Sequence, residues 1–357
     1  MKKKVAIVYD RVNKWGGAER VLLTLHEMFP DAPLYTSVYD EKNAMWAKIF
    51  PEIHTSFLQK IPFAKSTHEL FGWLMPFAFE SFDFSDFDLV ISVTSEAAKG
   101  IKTGPNTTHI CYCLTPTRYL WSHYNQYFKR ASFKGMTKPI ISYLRKWDKK
   151  AAKRPDVMIA ISNEVKNRIK KYYKRDAKII FPPVNTTLLY SNVVNQKKHF
   201  LVVSRLVRYK RVDLTIKAFN KLGYPLVIVG KGREGSRLRS KSKKNIKFVG
   251  EVSEKALVKY YRGAKALIMP QEEDFGIVSV EAQAVGTPVI AYSKGGAKDT
   301  VIDGKTGILF DEQSVESLTR AIAKFEKIVF NHKYIIKNAQ RFSKRIFKEE
   351  FKKLINI

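Results

Sequence analysis

The chain has 357 residues, which predicts two domains, and 45% of its residues are hydrophobic, enough for ordinary cores. No apolar run reaches the ~18 residues of a membrane-spanning helix, so the composition excludes a protein built of such helices. The 64 basic side chains outnumber the 33 acidic ones, giving a net charge of +31. That charge fits a nucleic acid, an anionic membrane or a phosphorylated substrate as partner, and it fits a general lysine bias equally well.

The first half of the chain alternates β-branched runs with helical stretches. Strands are predicted at 4–9, 34–39, 88–93, 109–114, 157–162 and 178–181, with helices at 16–29 and 163–173. The run 4–9 is too short for a signal peptide and is interpreted as a buried strand. Cys111 and Cys113 would lie side by side on one strand face, a poor geometry for a disulfide. These features predict a reduced, cytoplasmic protein.

The second half repeats the alternation. Strands are predicted at 199–204, 226–230, 246–249, 264–269, 288–291 and 307–310, a helix at 212–222 and a long basic helix at 335–357. Such alternation produces parallel sheets covered by helices. The expected domains are a Rossmann-like domain at 1–185, a second at 186–340, and a C-terminal helix at 341–357 that packs back towards the first. Because open α/β sheets bind ligands at the carboxyl ends of their strands, two facing sheets predict an interdomain cleft.

The most informative segment follows the predicted strand 264–269. An acidic, glycine-containing loop leads into a helix, whose first backbone N–H groups have no partner inside the helix and suit an anion. Glu273 and Glu281 bracket this turn, and carboxylates repel phosphate but bind hydroxyl groups strongly. The combination predicts a ligand with both phosphate and hydroxyl groups, such as a sugar nucleotide. The alternative is that Glu273 and Asp274 only favour the start of the helix.

Three other loops also directly follow predicted strands and contain basic residues or glycines. Arg205 and Lys210 stand five apart, and two fixed cations can stabilise the charge that grows on a departing phosphate. Gly16 and Gly17 would let the backbone approach a ligand closely, and Gly230-Lys231-Gly232 also follows a predicted strand. The ordinary alternatives are a generic basic loop and simple tight turns.

Taken with the Phe275–Gly276 turn, the Glu-Ala-x-Ala helix and the Gly-Thr-Pro-Val segment at 286–289, the pattern resembles the retaining glycosyltransferases of family 4. This resemblance implies the GT-B fold, two Rossmann-like α/β domains with parallel sheets. Within the family the chain is most similar to the mannosyltransferase-type enzymes of O-antigen and capsule assembly. The resemblance implies transfer of a hexose, in the first place mannose from GDP-mannose, to a glycan or polyprenyl-diphosphate-linked acceptor. It implies no cofactor and no metal.

The resemblance also implies a role for each matching residue. The catalytic set would be Glu273, which holds a hydroxyl of the donor sugar, with Arg205 and Lys210, which grip the diphosphate. The other donor-binding residues would be Glu281 on the ribose, the turn residues Phe275, Gly276, Ile277 and Val278, and Gly230 and Val252. The loop residues near the acceptor and diphosphate would be Gly16, Gly17, Thr115 and Arg118. No catalytic base is expected, because the leaving diphosphate can take the acceptor's proton on the same face.

The sequence departs from the family at one position of the segment 109–121. Many members have a histidine where this chain has Leu114, which affects sugar specificity more than the reaction. Because of Leu114, an alternative interpretation is a catalytically impaired GT-B protein that acts as a binding or scaffold subunit. A nucleic-acid-binding protein is a further alternative, but the sequence offers no base-reading motif or stacking platform, and no nucleic-acid partner is predicted.

Two segments of the first half, 54–82 and 129–154, mix aromatic with basic residues. Such mixtures suit the surface of an anionic bilayer. They predict peripheral docking at the inner face of the plasma membrane. The alternative is an apolar core helix together with a solvated charged helix.

Overall fold

The computed structural model describes residues 3–65, 68–122, 124, 134–186 and 198–355. The chain divides into two compact units, Met1–Phe181 and Pro182–Ile357. No helix formed by the described residues has the length and apolar character needed to cross a membrane.

The described part of the first unit forms one parallel sheet with helices. Its strands are β1 Val5–Tyr9, β2 Leu34–Thr36, β3 Ile53–Thr55, β4 Leu89–Thr94, β5 Thr108–Cys113, β6 Val157–Ala160 and β7 Lys178–Ile179. Its α-helices are α1 Gly17–Met28, α2 Met75–Glu80, α3 Lys134–Ala151 and α4 Asn163–Tyr173. The strand order is β3-β2-β1-β4-β5-β6-β7. The central strands β1 and β4 are buried along their whole length, as strands with covered faces must be.

The described part of the second unit repeats this architecture. Its strands are β8 His199–Val203, β9 Leu226–Val229, β10 Ile246–Gly250, β11 Ala264–Met269, β12 Val289–Tyr292 and β13 Gly307–Phe310. Its α-helices are α5 Val212–Leu222, α6 Gly235–Ser240, α7 Glu254–Gly263, α8 Ile277–Ala284, α9 Ala297–Thr300, α10 Val315–Glu326, α11 His332–Gln340 and α12 Lys344–Ile355. The strand order is β10-β9-β8-β11-β12-β13, again with parallel pairing.

Both sheets reverse their strand order once, and that reversal positions the sites. In the first sheet β1 lies beside β4, and in the second β8 lies beside β11. On either side of such a switch point the chain leaves in opposite directions, which opens a crevice at the carboxyl ends of the two strands. The predicted fold class, two Rossmann-like α/β domains with parallel sheets, is confirmed.

The structure differs from the predicted elements in its C-terminal helices and in one additional strand. The continuous helix expected at 335–357 is wrong, because α11 and α12 are separate helices. Between them Phe342 O accepts a hydrogen bond from Val184 N (2.8 Å), and Ser343 Oγ accepts one from Ile346 N (3.4 Å) at the start of α12. The short strand β3 was not predicted, because three half-exposed residues give too little pattern.

Three local features of the first unit follow from capping and burial. Ser162 caps α4, since its Oγ accepts a hydrogen bond from Val165 N at 3.1 Å. Cys111 and Cys113 are buried free thiols, and burial raises the pKa of Cys111 to about 12. His109 is buried in β5, where its Nε2 lies 2.8 Å from Ser92 Oγ.

Candidate functional site

Three loops of the second unit meet at the carboxyl edge of its sheet. They are 204–210 after β8, 270–275 after β11 and 293–296 after β12. Because these strands are neighbours in the sheet, residues far apart in the chain come together here.

Lys210 and Glu273 form an ion pair at this edge. Lys210 Nζ donates to Glu273 Oε1, and Gln271 Nε2 donates to the same oxygen at 2.8 Å. The side chains are 13% and 15% exposed, so both are partly buried but can still be reached from solvent. The structure therefore brings two of the three predicted catalytic residues into direct contact.

Arg205 is joined to this pair through a residue that sequence reasoning missed. Its Nη2 donates to Tyr209 Oη at 2.8 Å, and the Tyr209 ring centroid lies 5.1 Å from Lys210 Nζ. Tyr209 thus contacts both cations, Arg205 through its hydroxyl group and Lys210 through its ring. The only signal in the sequence was an aromatic residue inside the basic loop.

The turn into α8 requires glycine. Gly276 has φ +89°, and a Cβ there would lie 2.9 Å from Met269 Cε. It is the N-cap residue of α8, and no side chain of the described residues caps the helix at this point. Ile277 and Val278 are the first residues of the helix, so their N–H groups have no partner within it.

A diglycine after β12 supports the loop that carries Glu273. A Cβ at Gly295 would lie 2.1 Å from Glu273 O, and one at Gly296 would lie 2.3 Å from Phe275 Cα. Gly296 N donates to Glu273 O at 2.8 Å. Only glycine permits this backbone contact. Sequence reasoning missed the pair, although two glycines after a predicted strand were a usable signal.

Glu281 lies on α8 and is 7% exposed. Its Oε2 accepts a hydrogen bond from Tyr261 Oη of α7 at 2.8 Å. Tyr261 is itself buried and fixes the orientation of the carboxylate. Val252 and Val278 pack in the same apolar cluster as Tyr261. Tyr261 carried no recognisable signal in the sequence.

The glycines after β9 allow two loops to touch through their backbones. Gly230 has φ +129°, and a Cβ there would lie 1.9 Å from Ser204 O. A Cβ at Gly232 would lie 2.3 Å from Leu206 O. The segment 230–232 therefore positions the start of the loop that carries Arg205.

The corresponding edge of the first unit contains Gly16 and Gly17. Gly16 is the N-cap residue of α1, and its ideal Cβ position lies 3.1 Å from Glu19 Oε2. Glu19 is buried and accepts a hydrogen bond from Tyr9 Oη at 3.0 Å. Burial raises the pKa of Glu19.

A carboxylate fills the switch point between β1 and β4. Asp10 is 2% exposed and accepts hydrogen bonds from Ser95 N (2.6 Å), Ala97 N (2.9 Å) and Ala98 N (2.9 Å). Thr94 Oγ1 donates to it as well, at 2.8 Å. Burial raises the pKa of Asp10, and its backbone hydrogen bonds act in the opposite direction. The backbone N–H groups after β4 therefore bind a carboxylate of the protein itself, that of Asp10.

A buried ion pair holds the segment 115–121. Lys99 Nζ lies 2.6 Å from Asp148 Oδ1, and both side chains are 1% exposed. Asp148 also accepts hydrogen bonds from Thr117 Oγ1 (3.0 Å) and Trp121 Nε1 (2.7 Å). Burial alone would lower the pKa of Lys99, but Asp148 raises it above its ordinary value. Sequence reasoning identified neither partner.

The remaining predicted residues of the first unit lie close to this network. Thr115 is buried, and its Oγ1 accepts a hydrogen bond from Arg168 Nη1 at 3.5 Å. Arg118 is partly exposed. Leu114, also partly exposed, donates its N–H to Thr94 O at 2.8 Å. Among the residues that the structure describes, no cluster of three or more histidine, cysteine, aspartate or glutamate side chains could hold a metal ion.

With this geometry in hand, comparison with known proteins gives one family match. Residues 190–342 match the model of the family "Glycosyl transferases group 1". The match covers Arg205, Lys210, Glu273 and Glu281.

A curated relative extends the likeness. An uncharacterized glycosyltransferase of Methanocaldococcus jannaschii is 29% identical over 202 residues, which is 55% of this chain and 57% of the relative. The chain therefore covers less than two thirds of that protein.

Two solved structures are similar over nearly the full length. Sucrose-phosphate synthase from Thermosynechococcus elongatus has a TM-score of 0.78 at 18% identity, with 99% of this chain and 98% of the other covered. Anabaena HepE in complex with UDP and glucose has a TM-score of 0.71 at 18% identity, with 99% and 100% covered. These similarities establish the GT-B fold for the chain.

Proposed function

We propose that the protein is a retaining glycosyltransferase that moves a hexose from a nucleotide sugar to a glycan or lipid-linked acceptor in surface polysaccharide assembly. The observation that carries the proposal is the contact between Lys210 and Glu273, beside Arg205 and the start of α8. Cations, a hydroxyl-binding acid and unpaired backbone N–H groups at one switch point match a ligand with phosphates and hydroxyls. The family match over 190–342 supports the same activity.

In this proposal Arg205, Lys210 and the first N–H groups of α8 bind the diphosphate. Lys210 has three N–H donors, so it can hold Glu273 with one and a phosphate oxygen with another. Glu273 then binds a hydroxyl of the transferred sugar, and Glu281, oriented by Tyr261, accepts hydrogen bonds from the ribose. Gly230, Phe275 and Val252 complete the donor site, while Gly16, Gly17, Thr115 and Arg118 serve the acceptor and diphosphate.

The reaction needs no nucleophilic side chain. The bond between the anomeric carbon and the diphosphate oxygen breaks, and both electrons stay on that oxygen. Arg205 and Lys210 stabilise the negative charge more in the transition state than in the ground state. The diphosphate oxygen takes the proton of the acceptor hydroxyl, which attacks on the same face. The products are a nucleoside diphosphate and a glycoside with retained configuration.

Two donors are the first to compare. The likeness to O-antigen and capsule enzymes favours GDP-mannose. The HepE crystals contain UDP with glucose and UDP-glucose, which makes UDP-glucose the natural competitor.

A thermal-shift titration with a panel of nucleotide sugars tests the donor site. A bound donor raises the melting temperature by mass action. We expect Glu281→Ala and Lys210→Ala to abolish that shift, and Glu316→Ala, an exposed glutamate of α10, to preserve it. Unchanged titration curves for both site variants would refute the assignment. Measuring turnover of the same donors distinguishes an active enzyme from a catalytically impaired binding or scaffold subunit, the alternative that Leu114 suggests.

We also propose that the first unit docks to an anionic membrane surface. Leu70, Trp73 and Phe77 are 72%, 49% and 53% exposed, and their i, i+3, i+7 spacing places them along one side of a helical stretch. Met75 and Phe79 of the same stretch are buried in the core. Lys60 and Lys65, exposed just before it, supply positive charge. Of the second predicted segment, residues 129–133 lie outside the described residues.

Flotation with liposomes tests this docking. At low salt we expect the protein to float with vesicles that contain anionic lipid and not with neutral ones. Trp73→Ser with Phe77→Ser should reduce flotation, whereas Tyr224→Ser, an exposed aromatic of the second unit, should not. Flotation that does not depend on anionic lipid would end the proposal.

A further inference from the structure

A cationic cavity lies in the first unit, between α3 and the end of the segment 115–121. Its volume is about 330 Å³. Four basic side chains and two aromatic rings dominate its lining: Lys138, Arg145, Lys146, Lys149, Trp121 and Tyr124. The basic side chains recur at helical spacing on one face of α3.

No carboxylate lines this cavity within the described part of the chain. The nearest acid of α3, Asp148, points to the buried side of the helix and is engaged by Lys99, Thr117 and Trp121. Lys138, Lys146 and Lys149 form no ion pair with any described residue. Four like charges around one space repel each other, and an anion bound between them would relieve that repulsion.

Part of this arrangement is already fixed without a ligand. The Arg145 guanidinium lies 5.5 Å from the ring centroid of Trp121 and 4.8 Å from that of Tyr124, and its Nε donates to Leu120 O at 2.7 Å. Lys149 Nζ lies 5.4 Å from the Trp121 ring. Trp121 is itself held by its hydrogen bond to Asp148. Two of the four cations therefore lose little freedom when an anion binds.

We propose that this cavity binds a diphosphate group, at a site separate from Arg205 and Lys210. Lysine and arginine are the side chains that bind phosphate oxygens best, and a charge of about +4 matches a small polyanion. The volume is near the lower end for ligand sites, which suits a diphosphate better than a whole nucleotide sugar. The ligand class follows from the cavity alone. Its identification with the diphosphate of a lipid-linked acceptor rests on the proposed function.

Calorimetric titration with inorganic pyrophosphate tests the site. The full chain is used with Arg205→Gln and Lys210→Gln, so that the proposed donor site does not contribute. We expect one saturable binding event. Adding Lys146→Gln and Lys149→Gln should weaken it about tenfold or more, since two charge-assisted contacts are lost.

The chain offers a matched control in Lys150→Gln with Lys153→Gln. These exposed lysines have the same three-residue spacing and lie at the C-terminal end of α3 and just after it, but they do not line the cavity. The control should leave the affinity within about twofold, because only general charge is lost. Equal weakening by both pairs, or no saturable binding, would overturn the proposal. Circular dichroism of each variant confirms that it is folded.

Competition distinguishes the possible sources of the phosphate. Displacement of bound pyrophosphate by farnesyl diphosphate would assign the site to a prenyl-linked diphosphate. Displacement only by vesicles with phosphatidylglycerol would overturn that assignment in favour of a phospholipid headgroup, and displacement by neither would overturn both. If nucleotide sugars fail to bind the wild-type chain, the proposed function falls while the pyrophosphate titration stands.

Discussion

The two sheets reverse strand order at equivalent places but use charge there in opposite ways. In the second unit, Lys210 and Glu273 are partly exposed and lie beside an α8 N-terminus that no side chain among the described residues caps. In the first unit, the carboxylate of Asp10 is buried and accepts hydrogen bonds from the backbone after β4. One crevice keeps its polar groups available for a ligand, and the other satisfies them internally.

The contrast shows what topology does and does not decide. The reversal of a parallel sheet creates a polar crevice in both units. Which groups enter it, and how much solvent reaches them, determines whether the crevice binds a ligand or stabilises the fold. Mutations of charged residues that are satisfied internally should therefore affect stability, whereas mutations of the accessible charges beside α8 should affect ligand affinity or turnover.

The largest expected effect is on the stability of the first unit. Lys99→Met leaves the Asp148 carboxylate buried without its cation, which should cost about 3–5 kcal/mol of unfolding free energy. Chemical denaturation followed by fluorescence measures it. Lys102→Met is the control, because Lys102 is 61% exposed in its pair with Glu80 and should contribute less than about 1 kcal/mol. Equal losses for the two variants would show that the buried ion pair contributes no more to stability than the exposed one.

A comparable effect in the second unit should appear in catalysis instead. Lys210→Ala should lower kcat/KM for the preferred donor about 100-fold or more, because a cation facing the developing diphosphate charge is removed. The melting temperature should change little. Arg208→Ala is the control, since Arg208 belongs to the same loop but is 88% exposed. A large loss of stability with unchanged turnover would place Lys210 with the structural charges.

The third effect concerns pH. Burial first, and then Arg175 and Arg154, lower the pKa of His109 to about 3. Between pH 6.5 and about 3 the unfolded chain binds a proton that the folded chain does not, so stability falls as the pH falls through this window. His109→Gln should lose less stability over that range than the wild type does. His54→Gln, at an exposed histidine, should follow the wild type; coincident curves for all three would contradict the prediction.

The smallest effect should come from the support of Glu281. Tyr261→Phe removes one hydrogen bond to the buried carboxylate, which should weaken donor binding by about 1 kcal/mol, roughly fivefold. Tyr260→Phe, on the same helix, is the matched control. Donor titration by calorimetry measures both. If Tyr261→Phe binds donor as the wild type does, Glu281 does not depend on that hydroxyl.

Local pattern was sufficient to predict many elements of the fold. Strands β11 and β13 and helices α4 and α5 have the predicted bounds, because each is bordered by a residue that punctuates the chain, such as the N-cap Ser162 or Gly223 after α5. The break between α11 and α12 was missed because it depends on Val184, which lies far away in the sequence. Similarly, Tyr209, Gly295 and Tyr261 were missed because their roles arise from contacts between different loops.

The sequence by itself determined the alternation of strands and helices and the residue types that bind phosphates and hydroxyls. Those properties depend on neighbours a few positions away, which is the range of periodicity, capping and turn chemistry. Only the tertiary structure decided that Lys210 contacts Glu273, 63 residues further along the chain. It also decided that the carboxylate of Asp10 accepts hydrogen bonds from the backbone after β4. The cause is the strand order, since a parallel sheet brings distant loops together and burial then sets which charges remain accessible.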